Sequence, residues 1–279
     1  MRIFTDSLQR ILTSRVFLRL LGSVAPWASC ALLAVSSLGV MGGKAERSEI
    51  PVWWSPSLQL ASLKDIPQKL QEPVDMGSNP PGIELRNAEQ QTVRVFTCSQ
   101  YLETIGHGFF ASTSYDEAVE GAFVDRCYLL RDLQHIKPAM RSYVRRKWSP
   151  HALSELPPLF LVGDSSLWEK IEKARAAGAS WQSFEPALRV RKYSDDPFIL
   201  CADDGGEDAK AKRATDVCLQ ILARGDFNGD GVEDLAVSVS VHPRDGTLYA
   251  NFYCILTRDR KDKRMRLLTV GDAPYRMLH

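Results

Sequence analysis

Apolar positions along this chain change their spacing near its middle. Between residues 91 and 178 they follow a mostly helical rhythm. Val93, Val95 and Cys98 suggest a short strand running into a turn, and residues 99–105 predict one or two helical turns stopped by Gly106 and Gly108. Ser114-Tyr-Asp-Glu117 reads as a capping box. After it Ala118, Ala122, Phe123, Cys127, Leu130 and Leu133 recur at helical intervals, which predicts one amphipathic helix to about His135. A short helix is expected after Ser149-Pro150, and Ser166-Leu-Trp-Glu169 caps another that ends near Gly178. From Leu188 onward the period shortens to two. Residues 188–191, 198–201, 217–223, 235–241, 248–256 and 265–270 are β-branched or aromatic runs, separated by turn signals such as Pro243-Arg-Asp-Gly246 and Asp259-Arg-Lys-Asp262. The predicted fold class is therefore α+β, with a helical N-terminal half packed on a C-terminal antiparallel β-meander. No internal repeat of useful period is present, which argues against a full propeller or a solenoid.

The first 45 residues belong to a different category. Arg2, Arg10, Arg15 and Arg19 precede an apolar run over residues 20–43, which ends at the small-x-small pattern Gly43-Lys44-Ala45. This is a bacterial-type export segment with a charged start, an apolar centre and a cut site. The run has 24 residues, enough at about 1.5 Å per residue to cross a bilayer as an uncleaved anchor. Residues 1–45 are thus read as a signal peptide or a signal anchor, and both readings put the remainder outside the cytoplasm. It would be periplasmic or secreted, or held at the inner membrane by residues 20–43. Cys30 follows Trp-Ala-Ser, whereas a lipoprotein box would want an aliphatic residue at Trp27.

Removing that segment alters the charge balance. The whole chain of 279 residues carries 35 Lys and Arg against 34 Asp and Glu. Past residue 45 there are 30 basic and 33 acidic side chains, so the remainder is mildly acidic. Counterion-driven binding to nucleic acid needs a basic excess on at least one face, and no such excess is visible. The densest basic run, Arg141-Ser-Tyr-Val-Arg-Arg-Lys147, reads as a solvated helix face.

Residues 46–84 contain six prolines, Pro51, Pro56, Pro67, Pro73, Pro80 and Pro81. The stretch is expected to be an extended Pro-rich spacer, from which Trp53 and Trp54 could dock on the body. Residues 85–279 would then form a single α+β domain. Five cysteines follow the export segment: Cys98, Cys127, Cys201, Cys218 and Cys254. Outside the cytoplasm two bridges and one spare thiol are expected, and local closures, Cys98 with Cys127 and Cys201 with Cys218, are the favoured pairing of the fifteen possible. Each bridge would contribute about 3 kcal/mol.

One motif carries specific chemistry. The run Asp226-Phe-Asn228-Gly-Asp230-Gly231-Val232-Glu-Asp234 places oxygen-bearing side chains at loop positions 1, 3, 5 and 9, with glycine at position 6. Calcium takes six to eight hard oxygens at about 2.3 to 2.6 Å, and alternating side chains on a tight loop can supply them. The carbonyl of Val232 would serve at position 7. An EF-hand would need a bidentate Glu at position 12, where Val237 stands, and helices on both sides, where strands are expected. The segment, residues 226–234, resembles the strand-loop-strand calcium loops of integrin-type FG-GAP and VCBS repeats, matching the pattern Asp-x-Asn-Gly-Asp-Gly-x-x-Asp-Leu at every fixed position. That resemblance implies calcium held by Asp226, Asn228, Asp230, Val232 and Asp234. It covers one copy, whereas the family uses arrays. The overlapping tripeptide Arg224-Gly225-Asp226 would need a free Asp to serve adhesion, and that Asp is the position 1 ligand.

Two weaker constellations define an alternative. Gly163-Asp164-Ser165 resembles the nucleophile block of GDSL hydrolases, but the Asp-x-x-His that completes their triad is missing, and an Asp/Ser helix cap accounts for the same residues. Cys98 and His107, nine apart, could be read as thiol and base. The leading expectation is a non-enzymatic exported envelope protein, a calcium-stabilised binding or accessory module whose partner would be an envelope or extracellular protein or glycan. The alternative is a secreted serine or thiol hydrolase using Ser165 or Cys98.

Overall fold

The first strand of the fold, β1 (Trp53–Trp54), comes from the stretch expected to be a spacer. Two 3-10 turns, Pro56–Leu58 and Leu63–Asp65, lead from it into α1 (Ile66–Lys69). Pro56 and Pro67 stand in the first residues of these turns, where a missing N–H costs nothing. Between the prolines, Leu58, Leu60, Ile66, Leu70 and Val74 are buried. The spacer expectation is therefore corrected for residues 48–75, which belong to the core, because the apolar side chains between the prolines have somewhere to go. The computed structural model describes residues 48–75, 81–145, 148–159, 165–194, 199–203, 215–243, 250–260, 262 and 264–270. All lie in one compact unit, Glu46–His279. The predicted export segment, residues 1–45, lies outside the described residues.

Two further strands, β2 (Ile83–Arg86) and β3 (Thr92–Val95), pair antiparallel as a separate hairpin. Helix α2 (Cys98–Gly106) starts at Thr97, whose hydroxyl accepts the Gln100 N–H while the Gln100 side chain accepts the Thr97 N–H. Helix α3 (Ser114–Leu133) is the long one the apolar spacing predicted, capped by Thr113 rather than Ser114: its hydroxyl accepts the Asp116 N–H at 3.0 Å. The short α4 (Ala152–Glu155), α5 (Ser165–Ala176) and the single turn α6 (Trp181–Phe184) follow. Helices and strands alternate here, so the N-terminal half is mixed rather than wholly helical.

The meander is present as predicted: β4 (Arg189–Tyr193), β5 (Ile199–Asp203), β6 (Thr215–Gly225), β7 (Asp234–Pro243), β8 (Ala250–Thr257) and β9 (Arg266–Val270). These strands lie side by side in chain order, each antiparallel to its neighbour. β1 adds a seventh strand along β6, pairing Trp53 with Arg224 and Trp54 with Ala223.

Period two along the strands sends side chains into two cores. Leu200, Leu219, Ile221, Val237, Val239, Cys254 and Leu256 pack under Val144, Trp148, Leu153, Leu156, Leu159 and Trp181. From the other face Ala223, Ala236, Tyr253 and Ile255 meet α2, α3 and the N-terminal turns. The β-bulge between Ile221 and Ala223 turns Ala223, opposite Ala236, into this second core beside Leu222. Cys98–Cys127 ties α2 to α3 with both residues fully buried, and Cys201–Cys218 joins β5 to β6. Cys254 is a buried free thiol. Both bridges are the expected ones and fit an oxidising compartment. Among the described residues no helix is long and apolar enough to cross a membrane.

Candidate metal loop

The two longest strands, β6 and β7, are joined by the acidic loop. Gly229 and Gly231 sit at φ +81° and +78°, a backbone that side chains rarely adopt, and they reverse the chain within six residues. Asp226 organises the turn. Its Oδ1 accepts the N–H groups of Gly229 at 2.6 Å and Asp230 at 3.2 Å, and its Oδ2 accepts that of Gly231 at 2.9 Å. Asn228 Oδ1 accepts the Asp230 N–H, Asp230 Oδ1 accepts the Val232 N–H, and Asn228 Nδ2 donates to Asp230 Oδ2.

Asp234, the ninth position, begins β7 and is fully buried. Its Oδ2 accepts the Phe227 N–H at 3.0 Å, while Oδ1 is buried and, among the described residues, has only the Thr257 hydroxyl near it, in a geometry short of a full hydrogen bond. Burial pushes this carboxyl up to about 6, against the pull of the Thr257 hydroxyl and the Phe227 amide, and the Asp230 and Asp226 charges add to the rise. A buried carboxylate oxygen without a full hydrogen bond is costly, and a cation is one way to satisfy it.

The loop is held from outside by two devices that the sequence reading missed. Arg224 and Glu233, at the ends of the paired strands, form a buried ion pair, and the Ser142 hydroxyl also donates to Glu233. Residues 136–142 run along the loop as a strap. Lys137 and Asp226 exchange backbone hydrogen bonds, Met140 and Arg141 N–H groups donate to the Gly231 carbonyl, and the Glu233 N–H donates to the Arg141 carbonyl. On its far side the strap pairs with Ile50 through Ala139. The nearest sequence signal was opposite charges at either end of the acidic run.

The donor types fit a hard cation: three carboxylates, an amide oxygen and the Val232 carbonyl, to which no described residue donates. The side chains are nevertheless committed to the loop's own amides. Among the described residues no group of three or more His, Cys, Asp or Glu converges as a metal shell. The predicted residues Asp226, Asn228, Asp230, Val232 and Asp234 are thus brought onto one loop, and Asp234 alone holds a buried oxygen there without a full hydrogen bond from a described residue.

The other candidates separate cleanly. Cys98 is bridged to Cys127, so the thiol half of the hydrolase alternative has no free sulfur. His107 is exposed at the end of α2. Ser165 is the first residue of α5, and the preceding block, residues 160–164, lies outside the described residues. Arg224 and Asp226 are buried, so the Arg-Gly-Asp tripeptide is not displayed. In the basic run, Arg145 pairs with Glu155 at 2.9 Å, and Arg258 meets the same carboxylate at 2.7 Å. A cleft of about 650 Å³ lies between the end of α5 and β9, away from the loop. Its Arg175 donates to the carbonyls of Pro158 and Leu159 and to Glu172, which makes it a brace between segments.

Comparison of the chain with protein-family models, curated proteins and solved structures gave no match.

Proposed function

We propose that this chain is an exported envelope protein, a non-enzymatic binding or accessory module stabilised by one calcium ion in the loop 226–234. The ion would be held by Asp226, Asn228, Asp230, Asp234 and the Val232 carbonyl, and would supply positive charge to neutralise three clustered carboxylates. The observation that carries this reading is the buried Oδ1 of Asp234, which no described residue satisfies with a full hydrogen bond. Export rests on the arginine-led apolar run of the first 45 residues, and the two bridges support it. The partner is an envelope or extracellular protein or glycan, with no nucleic acid, and the membrane is contacted only through an uncleaved N-terminal segment. The ion's role is structural: a loop stapled by an ion pair and a strap has little freedom to act as a switch.

Thermal unfolding with and without calcium tests this. At a Kd of about 10⁻⁴ M, 10 mM calcium stabilises the folded state by about 2.7 kcal/mol. Asp226→Ala should unfold at a lower midpoint than the parent and show no calcium response. A parent midpoint that is identical in calcium and in EDTA sinks the proposal.

A further inference from the structure

The two disulfides occupy opposite environments. Cys98 and Cys127 are both 0% exposed, inside the core that holds α2 against α3, so no external thiol reaches their sulfurs without unfolding. Cys201 and Cys218 are only partly buried and stand directly opposite each other in the β5–β6 register, with Cα atoms 4.1 Å apart. That bridge lies on the face of its strands turned away from the core under Trp148 and Trp181. Leu200 and Ala202 on β5, with Val217 and Leu219 on β6, turn the other way into the core under Trp148 and Trp181. The β5–β6 ladder runs through five registered pairs, from Ile199 with Gln220 to Asp203 with Asp216. Those pairs and the buried face hold the strands together whether or not the sulfurs are joined.

We propose that Cys201–Cys218 is a thiol–disulfide exchange site, opened and closed by an external dithiol while the fold stays intact, and that Cys98–Cys127 is a permanent staple. Exposed disulfides are the labile ones, because the attacking thiolate must approach a sulfur. The register also sets the chemistry. Lys192 on β4 is the partner of Cys201, which places a cationic residue beside that sulfur on the same face. A neighbouring cation favours the thiolate, so Cys201 is the better leaving group. A dithiol thiolate attacks Cys218 Sγ, a mixed disulfide forms and Cys201 departs as thiolate. The second dithiol sulfur then attacks the mixed disulfide, releasing the Cys218 thiolate and leaving the reagent as its own disulfide. Two protons from the dithiol end on the two cysteines, which are reduced as the reagent is oxidised.

The fifth cysteine cannot divert the exchange. Cys254 points into the core beneath the opposite face of the sheet, and burial pushes its thiol up to about 12.

Titration of the folded protein with dithiothreitol, quenched by N-ethylmaleimide and read by peptide mass spectrometry, tests the assignment. Cys201 and Cys218 should be labelled together, at least about tenfold sooner than Cys98 and Cys127, while circular dichroism keeps its native shape. Lys192→Glu should slow that opening by at least about twofold, and Lys192→Arg should not. Labelling of Cys98 and Cys127 at the same dose, labelling of Cys254 alongside, or loss of the native spectrum before any labelling would each overturn the proposal.

Discussion

Arg224 and Glu233 close the base of the acidic loop as a two-pronged ion pair, Nε to Oε1 at 3.1 Å and Nη2 to Oε2 at 3.0 Å, with both side chains less than a tenth exposed. Paired charges at this depth hold geometry more than they add net stability, whereas one partner left alone is costly. Arg224→Met or Glu233→Leu singly should lower unfolding free energy by about 3 to 5 kcal/mol. Arg224→Met combined with Glu233→Leu should cost less than the worse single change. Urea denaturation of the four proteins measures this, and strictly additive losses would show that the pair has no coupling.

Glu120 makes folding stability depend on pH in the unusual direction for a carboxylate. It is buried against Tyr101, whose hydroxyl donates to it at 2.9 Å, and desolvation pushes it from 4.5 up to about 7. The folded state therefore holds a proton that the unfolded chain has released, and stability is lost as pH rises from about 4.5 through 7. The loss is about 3 kcal/mol at 1.36 kcal/mol per pH unit. Glu120→Gln should remove this part of the slope in urea melts between pH 5 and pH 8. An unchanged slope would place the proton elsewhere.

Gly225 is set by space. A Cβ there would lie 2.5 Å from Ile136 Cδ1 and 2.8 Å from its Cγ1, at the point where the strap meets the end of β6. Gly225→Ala should destabilise by about 1 to 3 kcal/mol through overpacking. Adding Ile136→Val, which removes Cδ1, should recover part of that loss. A double variant no better than Gly225→Ala alone would mean that the clash is relieved by backbone movement.

Removing the buried staple has a different signature. Cys98→Ala with Cys127→Ala opens a closure of 29 residues and should cost about 3.5 kcal/mol in the chain-entropy picture. Chemical denaturation under non-reducing conditions measures it, and a loss below about 1 kcal/mol would say that α2 and α3 are held by packing alone.

The meander was legible because its strands bury two different faces. Val237 and Val239 alternate with Ser238 and Ser240, and period two survives even in a strand covered on both sides. The bridges were legible because each closes a short span. Three features resisted for physical reasons. Pro56 and Pro67 suggested extension but start helical turns, so the apolar residues around them were not counted as core. Ile83–Arg86 has too few alternations to distinguish a strand from a loop. At the loop, the acidic spacing pointed to Asp226, Asn228, Asp230, Val232 and Asp234 as candidate ligands, and these five share one turn between β6 and β7. The strap at 136–142 and the Arg224–Glu233 pair depend on contacts between distant segments that no local pattern encodes.

Calcium binding at the loop is read most directly at the Gly229 and Gly231 amides, which now donate to Asp226. In an amide-correlation NMR titration of the full chain, both resonances should move and saturate with a Kd of about 10⁻⁴ to 10⁻³ M. The movement should vanish in Asp226→Ala while distant strand amides keep their positions. Resonances that stay fixed up to about 10 mM calcium, ten times the weaker limit, would contradict a calcium site here.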